Sequence, residues 1–125
     1  MKKIVLDTSF LISCANFKID WERELKRICD FTFEPVLLDR VAEELKTVRK
    51  DKIAAKLALA ILKHKKIFAM LTDGDESQPV DSLILGFAAK NKALVATQDL
   101  GLKRRLRTKR IRTITIRQKG HLVLE

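Results

Sequence analysis

Lys3-Ile4-Val5-Leu6-Asp7-Thr8-Ser9 is the stretch that decides the fold. Three apolar residues, two of them β-branched, run directly into an acid and two hydroxyls. An unbroken apolar run this short reads as a strand buried on both faces, and such strands belong to parallel sheets. The Thr8-Ser9 pair and the Phe10-Leu11-Ile12 that follows read as a turn entering a helix. Asp7 therefore stands where a buried strand ends.

The same alternation continues outward along the chain. Ile19 to Phe31 is amphipathic, with Leu25, Ile28 and Cys29 at helical spacing. Glu34-Pro35-Val36-Leu37-Leu38 reads as a second strand, with Pro35 restricted to its start. A helix is expected from about Asp39 to Arg49, with Val41, Leu45 and Val48 on one face. A second, rich in Ala and Leu, is expected from Asp51 to about Lys63. Ile67 to Leu71 suggests a third strand, and Thr72 to Gln78 has loop chemistry. Pro79 opens a helix to about Asn91, and Ala93 to Thr97 is a strand. Asp99 to Thr108 is a short basic helix, and Arg112 to Arg117 alternates as a half-buried strand does. Leu122 to Leu124 adds an edge strand. The expectation is one domain over residues 1–125, a three-layer α/β/α sandwich with a mainly parallel central sheet.

Bulk properties narrow the function. A chain of 125 residues with 46% hydrophobic content can bury a substantial core. No apolar run approaches the roughly 18 residues of a membrane span, and no signal peptide is visible, so a cytoplasmic protein without a membrane partner is expected. Cys14 and Cys29 cannot form a disulfide scaffold or a four-ligand zinc site, and both read as buried free thiols. The net charge of +10 is lopsided: residues 79–125 carry 11 basic and 3 acidic groups, and nine of those basic groups lie between Lys103 and Lys119. Such a field attracts polyanions. Lys103, Arg104, Arg105, Arg107, Lys109 and Arg110 are the candidate contacts to the phosphates of such a polyanion. No exposed aromatic platform for base stacking is evident, so a nucleic-acid partner would be recognised by backbone charge and shape rather than by stacking.

Four acids can meet. In open α/β sheets, sites form beyond the carboxyl ends of the strands. Asp7 follows the first strand and Asp99 lies two residues after the fourth expected one, so both project from one edge. At about 100° per residue, Glu44 falls near the margin of the buried face of its helix, whereas Glu43 points away from that face. Asp81 is marginal in the same sense, three residues before Ile84. Each acid alone also fits a plainer role, as an N-cap, a helix charge or a partner of the helix dipole. Together they form an acceptor-only oxygen set, and a hard divalent cation relieves the mutual repulsion of such a set. Mg2+ or Mn2+ at four carboxylates suits phosphodiester hydrolysis.

These residues resemble the PIN domain, a family of small α/β nucleases. The resemblance rests on Ile4-Val5-Leu6-Asp7-Thr8-Ser9, Val41-Ala42-Glu43-Glu44-Leu45, Asp81-Ser82-Leu83-Ile84-Leu85 with Ala88, and Val95-Ala96-Thr97-Gln98-Asp99 with Leu102. The four stretches occur in the family's order and cover nearly the whole chain. The resemblance implies a metal site of Asp7, Glu44, Asp81 and Asp99, with Thr97 ordering it and Ser9 contacting metal-bound water. It also implies Mg2+- or Mn2+-dependent cleavage of RNA, and homodimers, which are common in the family. The chain departs from the pattern at Ser82, where members often carry a second acid, and this bears on the count of metals. The lack of extra domains, the helix expected from Asp51 to Lys63 and the ending Ile111 to Leu124 look like archaeal stand-alone PIN proteins. Those are similar to the small-subunit processome nuclease that trims ribosomal RNA precursors inside an assembly particle. Two alternatives remain: a VapC-type toxin, which implies an antitoxin partner, and a catalytically silent RNA-binding scaffold.

Overall fold

A computed structural model describes residues 1–72 and 76–125 of the chain. Its elements run in the order β1 (Lys2–Leu6), α1 (Thr8–Asn16), α2 (Trp21–Ile28), β2 (Phe33–Leu38), α3 (Asp39–Thr47), α4 (Lys52–His64), β3 (Ala69–Met70), α5 (Val80–Asn91), β4 (Leu94–Ala96), α6 (Leu100–Thr108), β5 (Thr113–Arg117) and β6 (His121–Leu124). They build one six-stranded sheet in the order β3-β2-β1-β4-β5-β6. All neighbours are parallel except β5 and β6, which form an antiparallel hairpin. This is the expected α/β arrangement with a mainly parallel sheet.

The apolar run of β1 lies at the centre. Ile4, Val5 and Leu6 are fully buried, with β2 on one side and β4 on the other. Helices α1, α3 and α4 pack on one another, and α5 and α6 pack together against β1, β4 and β5. Phe10, Leu11, Leu45 and Leu62 are buried in the first group, and Ile84, Ala88, Leu102 and Leu106 in the second. The chain leaves β1 toward β2, and later returns to the other flank of β1 through β4. The sheet therefore reverses its winding between β1 and β4, which is where a parallel α/β sheet opens a crevice at its carboxyl edge.

Several boundaries differ from the expectations. The helix expected from Ile19 to Phe31 is only α2, Trp21–Ile28. Asp20 caps it, accepting from the Arg23 N–H at 3.3 Å, and Cys29 leaves it in extended conformation. Cys14 is buried, but Cys29 is only half-buried at that helix end. The strand expected over Ile67 to Leu71 shrinks to Ala69–Met70, because it is the sheet edge and pairs only with Leu37 and Leu38. Pro35 sits third in β2 rather than at its start, opposite Ile4. That part of β2 extends beyond β3, so the missing N–H breaks no pairing with the edge strand. Strand β5 is not half-buried: Thr113 and Thr115 are buried along with Ile114, because helices α1 and α6 both pack on this strand. Within the expected loop from Thr72 to Gln78, Asp73, Gly74 and Asp75 lie outside the described residues. Among the described residues, no helix is long and apolar enough to cross a membrane.

Candidate active site

Asp7 is the buried acid of the site, with 5% of its surface exposed. It stands at the N-cap of α1 with extended φ and ψ, yet its side chain makes no cap hydrogen bond. The plainer capping role therefore does not explain it. Its carboxylate instead takes hydroxyl donors: Thr97 Oγ1 donates to Oδ2 at 2.6 Å and Ser9 Oγ donates to the same oxygen at 2.9 Å. Burial pushes the Asp7 carboxyl above its ordinary range; these hydroxyls oppose the shift, and the charge of Glu44 adds to it.

The Thr97 hydroxyl, fully buried, also accepts from the Asp99 N–H at 3.1 Å. Ser9 Oγ accepts from the Gln98 N–H at 3.1 Å. Thus the turn after β4 is tied to the turn after β1 by two side chains, both on hydroxyl residues that flank carboxylates. Asp99 does act as a cap: Oδ1 accepts from the Leu102 N–H at 3.0 Å, which fixes the carboxylate at the start of α6. A Cβ on Gly101 would come within 3.2 Å of that oxygen, so the absence of a side chain there leaves room for the carboxylate.

Asp81 lies in the first turn of α5 and is half-buried. Desolvation raises its carboxyl most, and the charges of Asp99 and Asp7 raise it further, while Arg105 opposes them. Asp7, Asp81 and Asp99 therefore share one electrostatic site although they come from three separate segments. Glu44 reaches the rim of it. It is exposed on α3, and Thr8 Oγ1 donates to its Oε1 at 2.6 Å. Glu43 points elsewhere and faces Arg40 at 4.0 Å, as the helical geometry predicts.

The basic segment divides. Arg105 faces the site, where its Nη2 donates to Ser82 Oγ at 3.2 Å. Where the resemblance leads one to expect a second acid, the chain thus carries a hydroxyl joined to a cation. Arg104 and Lys109 are exposed. Arg107 and Arg110 line a separate cavity beside Glu125. Lys103 shares that cavity and is half-buried, and its Nζ donates to Thr115 Oγ1 at 2.5 Å. Burial lowers the pKa of its ammonium.

Three contributors escaped the sequence reading. Thr8 holds Glu44, and its only signal was its place beside Asp7. Gln98 fastens the sheet beneath the site: its Oε1 accepts from the Ile116 N–H and from Thr115 Oγ1, both at 2.7 Å. Gly101 offered no signal at all, since its role depends on where the Asp99 carboxylate folds.

Among the described residues, no three His, Cys, Asp or Glu side chains are already arranged to ligate one ion. The donor set nevertheless fits a hard cation. All four groups are carboxylates, and two have raised pKa values that a nearby positive charge would bring down.

A parallel α/β sheet with carboxylates gathered at its winding reversal is the PIN-like arrangement. The chain belongs to the PIN family, since the family described as PIN like domain matches residues 4–119. Ribonuclease VapC4 of Methanocaldococcus jannaschii is 35% identical over 129 residues, which cover 97% of this chain and 95% of that protein. The structure of the PIN domain endonuclease Utp24 is similar with a TM-score of 0.84 at 26% identity, covering 98% of this chain and 90% of that one. The nuclear protein-only RNase P 2 of Arabidopsis thaliana shares the fold alone, with a TM-score of 0.50 at 16% identity, 99% of this chain and 29% of that one being covered.

Proposed function

We propose that this protein is a metal-dependent endoribonuclease that acts on ribosomal RNA or its precursors. The observation that carries the reading is the convergence of Asp7, Asp81 and Asp99 on one site with Glu44 at its rim. Two of these acids, Asp7 and Asp81, have carboxyls held above the ordinary range, first by burial and then by the charge of their acidic neighbours. A fold built only for stability has no use for such a cluster, whereas a cation-assisted phosphoryl site requires one. The likeness to Utp24, an endonuclease, over nearly the whole chain supports the same reading.

Asp7, Asp81 and Asp99 would hold Mg2+ or Mn2+, with Glu44 completing the set. When bound, the ion supplies positive charge against the phosphate and makes water easier to deprotonate near neutral pH. The chain's own residues do the rest. Thr97 and Ser9 fix Asp7 in one orientation through Oδ2. Thr8 fixes Oε1 of Glu44, which leaves Oε2 to orient the attacking water and take its proton. Water oxygen bonds to phosphorus, the bond to one ribose oxygen breaks, and that oxygen leaves with a proton from solvent. Arg105, whose guanidinium meets Ser82, would pair with a phosphate oxygen at the rim.

The test is cleavage of labelled structured RNA by wild type and Asp99→Asn, with Mn2+, Mg2+ or EDTA. Cleavage by wild type alone, abolished by EDTA, is the expected result. Equal behaviour of the two proteins under all three conditions would sink the nuclease reading and favour an RNA-binding scaffold.

A VapC-type toxin is the second reading, favoured by the 35% identity to VapC4 along almost the full length of both chains. It predicts growth arrest on expression, relieved by Asp99→Asn or by a co-expressed antitoxin. Ribosomal RNA processing predicts instead that loss of the protein leaves uncut precursor.

A further inference from the structure

The active-site edge continues into a groove of about 370 Å³ between α5 and the sheet edge at β3. Ser82, Gly86 and Lys90 line it from α5, four residues apart and so on one helical face. Lys3, Met70 and Phe87 supply the remaining walls that matter here. The Lys3 ammonium lies 5.8 Å from the centroid of the Phe87 ring. None of the described lining residues is acidic. The stripe begins beside Asp81, where Arg105 meets Ser82, and runs about 12 Å to Lys90 at 1.5 Å per residue.

Gly86 is the feature that the fold does not explain. It sits inside α5, where glycine is a poor helix former, and it is exposed. A Cβ there would meet nothing within 4 Å, and its φ is not positive. Neither packing nor backbone conformation calls for glycine. A ligand lying close against the helix would.

We infer that this groove is a binding track for the single-stranded RNA that flanks the scissile phosphate, with the strand passing closest to α5 at Gly86. The inference rests on the ribonuclease reading and adds to it the path of the substrate. Lys3 and Lys90 face phosphates, and the Phe87 edge of the groove faces a base or ribose. At 3.4 Å per stacked nucleotide, the track holds roughly three. The track is separate from the arginine cluster of α6, apart from Arg105 at its mouth.

The test uses Gly86→Gln, Gly86→Ala and Lys90→Ala, with a fluorescein-labelled single-stranded RNA. Affinity is read by anisotropy in an Asp99→Asn background and KM by cleavage in the active protein. Both Gly86 variants should fold, with Tm raised by roughly 3 °C. Gly86→Gln should weaken RNA binding and raise KM about five-fold or more while kcat stays within about two-fold, with Gly86→Ala between it and wild type. Lys90→Ala should reduce the slope of log affinity against log salt by about one. Unchanged affinity and KM in a folded Gly86→Gln, beside a wild type that binds and cleaves, would overturn the track and point to a protein segment on the β3 edge. A wild type that neither binds nor cleaves RNA overturns the ribonuclease reading itself, and the track with it.

Discussion

The Thr97 hydroxyl donates to Asp7 Oδ2 at 2.6 Å, joining residues 90 positions apart. Because Thr97 directly follows β4 and Asp7 directly follows β1, this bond clamps the two strand ends where the sheet reverses its winding. The same oxygen of Thr97 accepts from the Asp99 N–H. One buried hydroxyl therefore positions two of the four acids.

Replacing that hydroxyl by a methyl group separates its two tasks from packing. Thr97→Val keeps the volume and leaves a buried carboxylate and a backbone N–H short of a partner. A loss of about 1–3 kcal/mol is expected in urea unfolding. RNA cleavage should drop with it, and Thr97→Ser should restore both. Cleavage that persists in folded Thr97→Val would show that Asp7 needs no such clamp.

Asp7→Asn should abolish cleavage without lowering stability in EDTA. A carboxyl whose folded pKa is raised binds protons more tightly in the native state than in the unfolded state. Its contribution to stability is then full below the ordinary value of 3.8 and is lost as pH rises through the raised value. At neutral pH the charged Asp7 is a burden, and the amide removes it. Thermal melts in EDTA should place Asp7→Asn at or above wild type. Mn2+ should then raise Tm for wild type alone, through mass action on the folded state.

Cleavage should lose activity on its acid side at a pH above the ordinary carboxylate range. Burial raises Asp7 and Asp81, and their charged neighbours raise them further, so both hold protons where a free aspartate does not. Under the proposed function, protons and the cation would compete for the same oxygens. Raising the Mn2+ concentration should shift the acid limb of the pH–rate profile to lower pH. An acid limb that ignores metal concentration would assign it to other groups.

The six basic residues of the α6 region should not contribute equally to RNA binding. Arg105 faces the site, whereas Lys103 is occupied with Thr115 and lies in a cavity beside Glu125. Arg105→Ala should weaken RNA binding and lower the salt slope by about one. Lys103→Ala should do neither to the same degree, and should instead reduce stability by loosening β5.

Lys92 ends α5 in the left-handed region with φ 51°. A side chain is strained there, and glycine is the residue that such a helix end favours. Lys92→Gly should stabilise the protein by roughly 0.5–1 kcal/mol, offset in part by the looser unfolded chain. A thermal melt checks it, and a fall in Tm would show that the lysine side chain makes up for its strain.

The sequence by itself determined most of the elements and which acids were candidates for one site. Apolar runs such as Ile4-Val5-Leu6 form strands because burial on both faces demands it, and Ile84 and Ala88 set the inward face of α5 by helical period. The order of strands and helices then dictated a parallel sheet, and strand ends dictated which acids could meet. Where hydrophobic period was weak or the chain lay at an edge, the reading slipped, as at β3 and at the ends of α2. Only the tertiary structure decided what each acid touches. It gave Asp7 two hydroxyls rather than a cap, gave Glu44 to Thr8, sent Lys103 to Thr115 and brought Arg105 to Ser82. The reason is physical. Periodicity is a local property that fixes which way a side chain faces. Hydrogen bonds and pKa values depend on partners tens of residues away, and those partners are set by how the layers pack.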